Sequence, residues 1–93
     1  MSLGVFYSTI REYEKADKML TEALEINKRL LGENHFSTIN SYLSLGMNLF
    51  RNGKLDEGRK LIEKYLPLLK EKLGSNHQMY KISEAKWNEL IKG

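Results

Sequence analysis

Leu30-Leu31-Gly32-Glu33-Asn34-His35 decides the fold, because its core returns as Leu73-Gly74-Ser75-Asn76-His77, 42 positions later. The same offset pairs Leu3-Gly4 with Leu45-Gly46, Lys18 with Lys60, Leu24 with Leu66, Lys28 with Lys70 and Ser41 with Ser83. Self-similarity at one fixed spacing of this size marks stacked repeats. Each copy is one supersecondary unit that cannot bury its apolar face alone, so neighbours bury it together.

On the N-terminal side of the repeated turn, residues 12–31 carry a helical pattern. Ala16, Met19, Leu20, Ala23, Leu24, Ile26, Leu30 and Leu31 recur at steps of three and four and line one stripe. Glu14 with Lys18 and Glu25 with Arg29 are spaced as i,i+4 ion pairs with the acid first. Gly32 then suits a left-handed C-cap. Farther upstream, Leu3 to Ile10 is short and apolar. It reads as the end of a helix over about residues 2–10 whose first turns are missing, so the chain is expected to be an excerpt of a longer array.

On the C-terminal side, Asn34 or Ser37 is expected to cap a helix over 36–51. Its apolar face carries Ile39, Tyr42, Leu43, Leu45, Leu49 and Phe50. Gly46 in mid-helix costs about 1 kcal/mol against Ala, which is reasonable only if another helix crosses close there. Asn52-Gly53-Lys54 reads as a tight turn between antiparallel helices. Asp56 is the expected cap of the next helix, 55–73, in which Gly58 stands where the first copy has Ala16 and Pro67 predicts a kink. A last helix over 78–92 mixes Tyr80, Ile82, Trp87 and Leu90 with many charges, as suits a terminal helix with one face in water. The whole is one all-α domain, 1–93: a right-handed α-solenoid of antiparallel helix pairs, about two repeats plus a capping helix.

Composition narrows the function. There is no Cys, which excludes disulfides and thiolate metal sites and fits a reducing, cytoplasmic setting. No run of 18 or more apolar residues predicts a transmembrane helix, and no signal peptide is visible, so no membrane is expected as a partner. The net charge of +3 is too small to argue for nucleic acid, and the basic residues Arg59, Lys60, Lys64, Lys70 and Lys72 are interleaved with Glu57, Glu63 and Glu71 as on a solvated face. No catalytic or nucleotide-binding motif occurs, so the chain is not expected to be an enzyme or to hold a cofactor. His35 and His77, in equivalent turns, read as turn or capping residues, with no metal site expected.

Gly4, Ala16, Leu20 and Ala23 in one copy resemble the tetratricopeptide repeat pattern of a small residue in the first helix, then Ala, a large apolar residue and Ala in the second; Gly46, Gly58, Ile62 and Tyr65 hold these places in the next copy, Tyr65 standing where a small residue is expected. The usual period is about 34 residues. The longer period here, with Ala23-Leu24-Glu25-Ile26, Leu31-Gly32, Asn34-His35 and Gly53-Lys54-Leu55-Asp56-Glu57, looks like the repeats of kinesin light chains. Phe36 and Gln78 stand where those repeats usually have Pro, and Leu43-Ser44 where they carry an Asn pair. The two-Lys, two-Asn clamp that related domains use for chaperone tails is not visible.

The resemblance implies an interaction scaffold or adaptor whose first helices line a concave groove for a partner peptide or helix. Helical spacing then gives Asn40, Leu43, Ser44, Met47, Phe50 and Arg51 as peptide-binding candidates. Val5, Ser8 and Thr9 continue this face in the first copy, and Ile82, Ala85 and Glu89 in the last helix. Met47 and Phe50 would hold apolar side chains, Asn40 a peptide backbone and Arg51 a carboxylate. The competing reading is that Leu43, Met47 and Phe50 pack against neighbouring helices. Two other functions fit the pattern: a purely structural helical part of a larger multidomain protein, or self-association into a homo-oligomer through repeat ends near Leu3, Val5 and Phe6 or Trp87 and Ile91.

Overall fold

Helices form where the apolar steps of three and four recur, and they break at Gly32, Gly53 and Gly74. A computed structural model describes residues 12–92. It contains α1 (Tyr13–Leu31), α2 (Phe36–Arg51), α3 (Leu55–Leu73) and α4 (Gln78–Lys92), with no strand among the described residues. The segment read as a helix over 2–10, and with it Leu3, Gly4, Val5, Phe6, Ser8 and Thr9, lies outside the described residues. No described helix is long and apolar enough to cross a membrane.

Gly32, Gly53 and Gly74 turn the chain, all with φ near +90°. Gly32 and Gly74 are not left-handed caps in the ordinary sense. Their ψ values of 163° and 153° put them in an extended region with positive φ that glycine alone enters cheaply. Each still donates its N–H back into the helix it ends, to the carbonyls of Lys28 and Lys70. The Thr38 hydroxyl donates to the Gly32 carbonyl at 2.7 Å and ties the turn to the next helix.

The helix starts differ from the sequence expectation. His35, rather than Asn34 or Ser37, caps α2: its Nδ1 accepts the Ser37 N–H at 3.1 Å. His77 does the same for the Met79 N–H at 3.1 Å. Repeated histidines in equivalent turns thus satisfy one free donor at each helix start. Asp56 is not a cap; it sits inside the first turn of α3, which has no side-chain cap, and there its charge favours the helix dipole. Glu25 pairs with Lys28 at 3.7 Å rather than with Arg29. Helix α3 runs through Pro67 without a break. The proline is exposed, so water can reach the Glu63 carbonyl whose helical donor it lacks.

Helix α2 is the hub. It packs against α1, α3 and α4, while α1 touches neither α3 nor α4. The α2–α3 crossing is closest at Gly46 and Gly58. A Cβ on Gly58 would stand 2.5 Å from the Gly46 carbonyl oxygen and 2.7 Å from the Phe50 amide nitrogen. A Cβ on Gly46 would meet the Leu61 Cβ, the Gly58 carbonyl and the Ile62 Cγ1 at 3.0–3.1 Å. The mid-helix glycine of α2 therefore permits a crossing that larger residues would push apart. Around it Ile39, Leu43, Met47, Ile62 and Leu69 form the core, closed at the α4 side by Tyr80 and Trp87. The Phe50 and Trp87 rings meet edge to face at 5.0 Å, and Tyr42 stacks flat on Tyr65 at 4.1 Å. Tyr42 also donates to Glu33 at 2.6 Å. Burial first, and that hydrogen bond second, push its phenol above the ordinary tyrosine range. Asn48, buried at 1% exposure, donates to the Tyr13 carbonyl at 3.0 Å and pins the start of α1 to α2.

Two substitutions test these contacts. Gly58→Ala drives a methyl into backbone that cannot rotate away, costing about 3 kcal/mol against a helix-propensity gain of about 1 kcal/mol, a net loss of about 2 kcal/mol in urea unfolding. Gly46→Ala meets looser neighbours and stays within about 1 kcal/mol of the parent. His35→Ala costs about 1 kcal/mol by the same measurement, and His35→Asn, which restores a cap acceptor, recovers most of it.

Candidate functional site

Because α1 and α4 both pack on α2 without touching each other, a groove is left between them over α2. Its volume is about 890 Å³. Leu20 and Ala23 of α1 with Leu43 and Met47 of α2 make an apolar floor. Asn27, Asn40, Ser41 and Ser44 form one wall, and Met79, Ile82 and Lys86 of α4 the other, with His77 and Gln78 at its end.

The polar wall has local causes. The Asn27 amide donates to the Ser41 hydroxyl at 2.7 Å, and Ser41 donates to the Ser37 carbonyl at 3.0 Å. That chain ties α1 to α2 along this wall. Asn40 makes no such bond among the described residues and keeps its amide donors and acceptor available. On the opposite wall Ile82 is 45% exposed, a large apolar side chain facing water beside the groove floor. Glu84, next along α4, accepts the Tyr80 hydroxyl at 2.9 Å, which raises the Tyr80 phenol above its ordinary range, burial adding to the effect.

The six candidates read from helical spacing divide. Asn40, Leu43, Ser44 and Met47 come together at the groove. Leu43 and Met47 belong to the core, at 1% and 5% exposure, and present only a sliver of surface to the floor. Phe50 does not line the groove; it packs against Trp87, with the Arg59 guanidinium 6.0 Å from its ring centre. Arg51, at the end of α2, does not line it either. Of the α4 candidates Ile82 lines it, and Ala85 and Glu89 do not. Spacing along α2 could not reveal the walls given by α1 and by Met79, Ser83 and Lys86. One signal was present: Asn27 occupies the position of Leu69 in the next copy, which is fully buried. A polar residue at a repeat's buried position marks an interface left open.

Among the described residues no three His, Asp or Glu side chains converge as metal ligands. Of the repeat ends suggested for self-association, the one near Leu3, Val5 and Phe6 lies outside the described residues; at the other, Trp87 is buried at 8% exposure and does not present a surface, while Ile91 is exposed.

A family model described as tetratricopeptide repeat matches residues 1–71. The chain belongs to the tetratricopeptide repeat family. No curated protein and no solved structure matches the chain. The family assignment agrees with the paired helices, the Gly-bounded turns and the small residues at the α2–α3 crossing. α2 and α3 form one antiparallel helix pair, flanked by α1 and α4. Tetratricopeptide repeats are in general protein–protein interaction modules, so the groove over α2 is the surface to consider first.

Proposed function

We propose that this tetratricopeptide repeat domain docks a segment of a partner protein in the groove over α2, as a scaffold or adaptor with no chemistry of its own. The observation that carries the reading is the pairing of surfaces in one concavity: an apolar floor with exposed Ile82 beside it, opposite a wall of amides and hydroxyls. Apolar side chains of a guest would leave water against the floor and Ile82, and its polar groups would find partners on the wall. Asn40, Ser44 and Ile82 are the residues a guest touches most. Leu43 and Met47 shape the floor from beneath. The resemblance of the long repeat to kinesin-light-chain repeats suggests a cargo-adaptor setting in the cytoplasm.

Selection of a phage-displayed library of random heptapeptides on the intact chain tests the proposal. Peptides are expected to be enriched, and Ile82→Glu is expected to weaken their binding at least tenfold while the helical circular dichroism is unchanged, since Ile82 is exposed. Enrichment of nothing, or of peptides whose binding ignores Ile82→Glu, would contradict it.

A further inference from the structure

Met19, Ala23, Ile26 and Leu30 follow one another at steps of four, three and four and lay a second stripe along α1. It lies about a quarter of a turn round the helix from the buried Ala16, Leu20 and Leu24. In the next copy the same four positions are Leu61, Tyr65, Leu68 and Lys72. There the stripe has cover: Leu61 sits at the Gly46 crossing, Tyr42 stacks on Tyr65, and Leu68 packs against the core. The position that emerges into water carries Lys72. On α1 the corresponding residues have no such cover. Among the described residues α2 alone packs on α1. Ile26 is 46% exposed, and Leu30, at 73%, is the most exposed large apolar side chain described. A leucine thus stands in water where the sister copy has a lysine, and an apolar strip of two turns is left open.

The charges beside the strip say what covers it. Glu22 and Arg29 are both exposed and edge the strip on one side, Glu22 along its first half and Arg29 along its second. They are seven residues, or about 10 Å, apart along the axis. Neither is in an ion pair among the described residues; Lys15 pairs with Glu12, and Lys28 with Glu25. An acid at one end and a base at the other make the strip complementary to itself when it is turned end for end.

We propose that the Met19–Leu30 stripe of α1 pairs with the same stripe of a second copy of this chain, antiparallel about a two-fold axis between Ala23 and Ile26. Ala23 then lies against the partner's Ile26, and Met19 against the partner's Leu30, the small Ala23 leaving room for the branched side chain. The axis repeats each contact. Glu22 comes beside the partner's Arg29, and Arg29 beside the partner's Glu22. A parallel pair would set each helix level at its own counterpart and leave both charges without an opposite. Four apolar positions per helix make a seam smaller than the roughly 1,200 Å² at which stable interfaces begin, so the dimer forms at high concentration and exchanges readily.

Sedimentation equilibrium of the intact chain tests the proposal. The apparent mass is expected to rise from 10.8 kDa at about 10 μM toward twice that value at about 1 mM. Leu30→Glu and Ile26→Glu should each hold the chain at the single-copy mass throughout, with unchanged helical circular dichroism because both side chains are exposed. Glu22→Arg, which faces the partner's Arg29 with a like charge, should weaken association about tenfold, and adding Arg29→Glu should restore it. A single-copy mass up to about 1 mM overturns the dimer, and so does association indifferent to Leu30→Glu or Ile26→Glu. Association that the double exchange fails to restore overturns the antiparallel arrangement. Peptide docking is read at Ile82 and stands or falls separately.

Discussion

The close passage of α2 over α3 at Gly46 and Gly58 is the constraint from which the remaining geometry follows. Two backbones approach until a Cβ on Gly58 has no room and one on Gly46 fits only if its neighbours yield slightly. A glycine within a helix is unfavourable by about 1 kcal/mol, so the pair costs the isolated helices about 2 kcal/mol. Packing offsets that cost because close backbones let Leu43, Ile62 and Leu69 bury themselves fully in the core. With α3 seated this deeply, Phe50 reaches the Trp87 ring and fixes α4 on the same hub.

The groove is a consequence of that hub. Helix α2 spends one face on α3 and its flanks on α1 and α4, and α1 and α4 are too far apart to close over what is left. The two copies handle the same position differently. Leu69 disappears into the core beneath α4, whereas Asn27 stays half-buried and bonds Ser41 across the α1–α2 interface. An apolar residue at that position would seek cover from water. Asn27 remains stable at a wetted edge, which keeps the concavity open and gives it a polar wall.

Much of this architecture was legible in the residues. Gly32, Gly53 and Gly74 announce turns because positive φ is cheap only for glycine, and Gly46 announces a close crossing because nothing else justifies it mid-helix. Caps were harder to read. Asn and Ser outrank His in general preference, yet the imidazole Nδ1 of His35 reaches the Ser37 amide, and a rule based on preference passes over it. The groove was legible only along α2. Helical spacing places Asn40, Ser44 and Met47 on one face but says nothing about which helices flank that face. Phe50 and Arg51 were therefore assigned by phase to a surface that ends before reaching them. Their placement depends on α4 swinging in over Phe50, a tertiary fact with no local signature.

The account stands on one claim: the face of α2 between α1 and α4 is where this tetratricopeptide repeat domain meets its partner. Amide chemical-shift mapping by NMR, with an enriched heptapeptide titrated into the labelled chain, tests it most directly. The account predicts that the shifts concentrate at Asn40, Ser44, Ile82 and Lys86 and spare the outer face of α3. Shifts centred instead on Arg59, Lys60 and Lys64 of α3, with the groove residues unmoved, would contradict it.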